Sequence, residues 1–144
     1  MSELPKILIY LAAPYSDPDP AVRLVRFEKI NVAASYLMRR GLHVFSPISH
    51  SHPIALAGGL PTGWDFWEEY DTAILSTCRA FVVLMLPGWD KSTGVGGETR
   101  VARRLNISCY WASDVGLDDI VRGSNGSLPG LDQIVGELGG REAP

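Results

Sequence analysis

Glu98 sits directly behind Gly94, Gly96 and Gly97 in the stretch GWDKSTGVGGETR, Gly88 to Arg100, where a helix is expected to begin. The glycines leave amide N–H groups uncovered, which suits a phosphate or a closely packed sugar and equally fits a plain helix-entry loop. No Gly-Lys-Ser/Thr follows and the spacing is not GxGxxG, so the stretch is neither a P-loop nor a dinucleotide fingerprint. An acid in a first helical turn is favoured by the helix dipole. That role needs no small neighbours, whereas a carboxylate that must touch a bulky substrate does need them. Carboxylates attack acetal-like centres such as an anomeric carbon through a cationic transition state, leaving a covalent glycosyl-enzyme.

Positioning such an acid requires a scaffold, and the apolar runs predict one. KILIYLAA (Lys6 to Ala13) and AFVVLML (Ala80 to Leu86) are near-continuous apolar runs of strand length, the pattern of strands covered on both faces. HVFSPI (His43 to Ile48) and ISCYWA (Ile107 to Ala112) read as two further strands. Between them, Asp19 and Pro20 open an amphipathic helix bearing Phe27, Ile30, Ala34 and Leu37, closed by Arg39, Arg40 and Gly41. Thr62 with Asp65 three residues on forms a capping-box pattern for a helix from Gly63 to about Thr77. A third helix follows the glycines, with Val101, Ala102 and Leu105, and a last one carries Leu131, Ile134, Val135 and Leu138. His50 to Gly63 reads as a long loop, and residues 139–144 as a loose tail on a single domain spanning 1–144.

Strands alternating with helices predict an α/β fold: a three-layer, Rossmann- or flavodoxin-like open sheet, mostly parallel, of four to five strands with helices on both faces. Ligands bind such sheets outside the carboxyl ends of the strands. The segments Tyr10 to Asp17, Ser46 to Gly63 and Pro87 to Glu98 all arrive there. A site built from them draws on Ala12, Pro14, Ser49, His50, His52, Trp64, Trp89, Asp90, Ser92, Gly94 and Gly96. His50 and His52 would face the same way on extended backbone. Without a third ligand they suit solvation, or contact with a base or phosphate alongside Ser49 and Ser51, better than a metal. Trp64, Trp67, Tyr70 and Trp89 offer faces for stacking on a base or for ordinary packing. Lys91 either pairs with a phosphate or caps its loop.

Composition narrows the partners. Thirteen Lys and Arg against sixteen Asp and Glu give a net charge of −3, with no basic block to track a nucleic-acid backbone. The opening residues lack the pattern of a signal peptide, no apolar run reaches membrane-span length, and Cys78 and Cys109 have no metal-type spacing, so a cytoplasmic, membrane-free protein is expected.

Taken in order, IYLAAPY, EYDTAIL and PGWDKSTGVGGETRVA resemble the nucleoside 2-deoxyribosyltransferase superfamily, including its nucleotide N-glycosidases, over roughly residues 7–107. The resemblance implies that Glu98 is the nucleophile, flanked by Gly94 and Ala102 of the G-x-x-x-E-x-x-x-A segment. It implies that Tyr10 holds Glu98, aimed and ionised, by a hydrogen bond. It implies too that Asp71 contacts or protonates the base, and that Asp90 contacts sugar hydroxyls. The substrate would be a nucleoside or nucleotide, no metal or organic cofactor would be required, and a homodimer or larger homo-oligomer is implied. Ala12, Ala13 and Pro14 stand where the family usually has a glycine after the tyrosine, and SPISHSHPIA has no clear counterpart. Two readings from other classes stay open: a nucleotide or nucleotide-sugar sensor on the same fold, and an FMN carrier. LAAPYSDPDP lacks the phosphate cradle the latter needs.

Overall fold

The computed structural model describes residues 6–143. Strands β1 (Leu8–Ala12), β2 (His43–Phe45), β3 (Ala80–Met85) and β4 (Ser108–Ser113) form one all-parallel sheet in the order β2-β1-β3-β4. The α/β fold with an open parallel sheet is as expected, at the lower of the anticipated strand numbers. From β1 the chain steps to one side for β2, then across to the other for β3. The crevice beyond the carboxyl ends of β1 and β3 is therefore the topological switch point of the sheet.

Alternation along the central strands divides the core into two layers. Ile9, Leu11, Val82 and Leu84 face the side covered by α1 (Pro20–Arg39), α5 (Leu117–Val121) and α6 (Pro129–Glu137). Tyr10, Ala12, Phe81 and Val83 face the side covered by α3 (Trp64–Leu75) and α4 (Thr93–Arg104). Burying the branched aliphatic and phenylalanine side chains among these stabilises the fold by about 1.5–3 kcal/mol each. Helix α1 starts as its sequence predicts: the Asp19 side chain accepts the Ala21 N–H at 2.9 Å and Pro20 occupies the first turn.

Several expectations need correction. The His50 to Gly63 segment is mostly not a loop, because Pro47–Gly58 forms a helix, α2, and the second strand stops at Phe45. Ser46 caps α2 by accepting the Ser49 N–H at 3.2 Å, Pro47 opens it, and Gly59 ends it in the left-handed region at φ 63°. Pro53 lies inside the helix without breaking it. The capping box at Thr62 and Asp65 does not form; Gly63 occupies the cap of α3 and no side chain closes it. A further short helix, α5, precedes the Gly/Ser-rich stretch GSNGSLPG (residues 123–130) and carries no strong sequence signal. Of the tail expected to be loose, Gly140 donates to the Val135 carbonyl and Arg141 to that of Arg40, each at 2.8–2.9 Å. Among the described residues, no helix is long and apolar enough to cross a membrane.

Candidate functional site

A cavity of about 420 Å³ opens at the switch point, within the size range of small-molecule sites. All three strand-end segments contribute: Tyr15 and Ser16 after β1, Ser51 and His52 on α2 after β2, and Lys91 to Gly94 with Glu98 after β3. Helix α3 adds Trp64, Trp67 and Asp71.

At its base lies the contact that the resemblance implied. Tyr10 is fully buried on β1, with its ring between Phe45 and Phe81 at centroid separations of 6.2 and 5.8 Å. Its hydroxyl donates to Glu98 Oε2, bringing together residues 88 apart in sequence. Glu98 is 5% exposed, and no cation pairs with it among the described residues. Burial therefore dominates its titration. The carboxyl is pushed up to about 8; the Tyr10 hydrogen bond acts in the opposite direction, while the nearby Asp71 charge raises it further. The Tyr10 hydrogen bond thus favours the ionised carboxylate, as expected of it, against the larger opposing effect of burial. Asp71, 8% exposed, is likewise raised to about 7 by burial. Its Oδ1 has no hydrogen-bond partner among the described residues. The Tyr10 hydroxyl is raised well above its usual value, first by burial and then by the charges of Glu98 and Asp71, so it stays a proton donor.

The glycines have separate roles. A Cβ on Gly97 would collide with the Trp64 indole, so this glycine lets Trp64 of α3 lie against α4 beside Glu98. A Cβ on Gly96 would meet only Arg100 Nη1 at 3.6 Å. Gly94 faces the cavity. Crowding at Glu98 is thus relieved for a tryptophan at Gly97, not along the whole glycine run.

Of the remaining residues chosen from sequence, His52, Trp64, Ser92 and Gly94 line the cavity with Glu98 and Asp71. Ser92 also caps α4, accepting the Val95 N–H at 3.2 Å. Ala12 is in the core beside Tyr10, and Pro14 is buried outside the cavity wall. The Ser49 hydroxyl is engaged with Asn31 Oδ1, Trp89 packs on the core, and Asp90 and Gly96 lie away from the wall. His50 and His52 do not face the same way, because two residues on a helix turn through about 200°. His50 is exposed and stacks on Tyr70 with ring centroids 5.8 Å apart. His52 is buried against Phe27 at 4.3 Å, and its Nδ1 meets the Tyr15 hydroxyl. Burial and the nearby Arg23 charge lower its pKa, which favours the neutral ring.

Sequence reasoning missed Tyr15, Ser16 and Thr93 in the wall, and Arg26 behind it. The Arg26 guanidinium donates to the carbonyls of Tyr15 (3.3 Å), Ser16 (3.1 Å) and Pro87 (3.3 Å). It thereby ties the loop after β1 to the turn after β3. An arginine on an amphipathic helix reads as solvated, and no local signal marks it otherwise.

No curated protein matches the chain. Residues 7–112, which contain every side chain of the cavity wall, match the family described as Domain of unknown function (DUF1937), and the chain belongs to that family.

Proposed function

We propose that the protein cleaves the N-glycosidic bond of a nucleoside, nucleotide or related derivative, the activity implied by its resemblance to the nucleoside 2-deoxyribosyltransferase superfamily. The observation that carries this reading is the buried contact of Tyr10 with Glu98, a carboxyl in the wall of a cavity of ligand size, with a second desolvated carboxyl, Asp71, in the same wall. Glu98 attacks the anomeric carbon as the bond to the base breaks. The departing nitrogen takes the bond's electron pair and a proton from Asp71. Tyr10 holds the attacking oxygen's carboxylate in place. In the second step water, or a second base, displaces Glu98 and gives up its proton to Asp71. The outcome is hydrolysis or transfer, according to which acceptor the cavity admits.

The working form carries one proton on the pair, with Glu98 ionised and Asp71 protonated; because burial raises Glu98 further than Asp71, this is the less populated of the two one-proton arrangements. Below about 7 both carboxyls hold protons and the nucleophile is lost; above about 8 neither does and the acid is lost. A bell-shaped kcat/KM profile with its maximum between these limits is expected. Asp71→Asn should lower the rate by about 10²-fold or more and remove the alkaline limb. Without the neighbouring charge, Glu98 ionises more readily, so the acid limb should move to lower pH.

The test is chromatographic measurement of free base released from ribo- and deoxyribonucleosides and their 5′-monophosphates, across pH, with and without a second base. Base release with this profile supports the reading, and base exchange marks a transferase. Silence across the panel overturns it in favour of a binding domain.

A further inference from the structure

Two buried side-chain oxygens lack a hydrogen-bond partner among the described residues: Ser51 Oγ and Asp71 Oδ1. They belong to different helices, α2 and α3, yet both residues line the same cavity. Buried polar groups in folded proteins are nearly always paired, so an orphan calls for an explanation. Ser51 had a local remedy, since a helical hydroxyl commonly turns back onto a carbonyl three or four residues earlier. Thr99 does so onto Val95 at 2.7 Å, and Ser35 onto Val32 at 2.8 Å. Ser51 does not, and its hydroxyl remains an unspent donor and acceptor, covered from solvent, on a residue that lines the cavity.

We infer that Ser51 is a specificity-determining residue which, with Asp71, hydrogen-bonds the polar edge of the heterocycle, so that the cavity takes a base bearing at least two polar edge atoms. The inference rests on the N-glycosidic reading and adds to it the group that selects the base. Asp71 serves the atom that gains a proton as the bond breaks. Ser51 reads a second edge atom that does not change during the reaction. Its hydrogen bond is made equally in the ground and transition states, so its loss should appear in KM and leave kcat largely unchanged.

The experiment compares wild type with Ser51→Ala and Ser51→Thr. Each is assayed on the best nucleoside of the panel and on analogues in which one polar edge atom of the base is replaced by C–H, and calorimetry measures binding of the corresponding free bases. Ser51→Ala should raise KM and the base Kd by about 5- to 10-fold, the size of one net hydrogen bond, with kcat within about twofold. One analogue should weaken wild type by the same factor and leave Ser51→Ala unaffected. Ser51→Thr, which keeps the hydroxyl, should recover most of the loss. The unliganded Ser51→Ala protein should melt at or above wild type, since the change removes an unpaired hydroxyl and installs a better helix former. If wild type cleaves and Ser51→Ala matches it on every substrate, the inference falls and the N-glycosidic reading stands. If wild type cleaves nothing, that reading falls and the base-binding arm decides: a Kd changed by Ser51→Ala supports the edge contact, and an unchanged Kd, or no base bound at all, overturns it.

Discussion

Glu98→Gln should lose at least about 10³-fold in base release while making the protein more stable at alkaline pH. The two effects share a cause. Glu98 is buried and, among the described residues, pairs with no cation, so ionising it in the folded state opposes burial, and its carboxyl is raised to about 8. For a carboxyl raised on folding, the unfolded chain releases its proton first. Stability is therefore full below the unfolded pKa, near 4, and declines as pH rises through the folded value. Gln keeps the shape and a polar end for the Tyr10 hydroxyl without the charge. The variant should match wild type within about 1 kcal/mol at pH 5 and exceed it by several kcal/mol at pH 9, roughly 5–10 °C in melting temperature. Thermal melts across pH check this. A constant difference would mean that Glu98 does not titrate as a buried carboxyl, and undiminished base release would remove it from the chemistry.

The neighbouring glycines should respond with opposite signs. At Gly97 the space for a Cβ is already filled by the Trp64 indole. Gly97→Val must displace Trp64 from the cavity wall or push α3 from α4, a strain of about 1–3 kcal/mol or more. Because Trp64 and Asp71 both belong to α3, kcat/KM should fall by about 10- to 100-fold as the wall shifts. At Gly96 an added methyl reaches only the end of the exposed Arg100 at 3.6 Å, and alanine suits a helix better than glycine by about 1 kcal/mol. Gly96→Ala should therefore raise stability and leave activity within about twofold. Urea unfolding together with the base-release assay separates the two variants. Equal sensitivity at both positions would show that the whole glycine run, not the Trp64 contact alone, demands small residues.

Much of the scaffold was legible because its signals are local. The runs through Ile9 and Val82 are too short for helices and too apolar for a half-exposed strand, and Asp19 with Pro20 marks a helix start directly. Helix α2 was obscured by Pro53 and by the polar SHSHP sequence. Its true markers are present, but Ser46 and Pro47 read as the end of the second strand and Gly59 as part of a loop. That error also misplaced the histidines, since a strand puts residues 50 and 52 on one side and a helix separates them. At the site, the glycines drew attention to Glu98, but its contact with Tyr10 across 88 residues came from the resemblance and not from spacing. Which glycine mattered depended on Trp64, from another helix. The unpaired hydroxyl of Ser51 and the long reach of Arg26 are properties of packing, with no trace in the local sequence.

In the glycosidic reading Glu98 forms a covalent bond to the sugar. Proton NMR of the first glycoside formed by wild type in a methanol–water mixture tests it most directly, because the anomeric configuration counts the displacements at that carbon. Two displacements through Glu98 should give a methyl glycoside with the configuration of the starting nucleoside. An inverted product would mean that methanol attacks in one step and Glu98 is no nucleophile, and the absence of any sugar product would contradict the glycosidic reading itself.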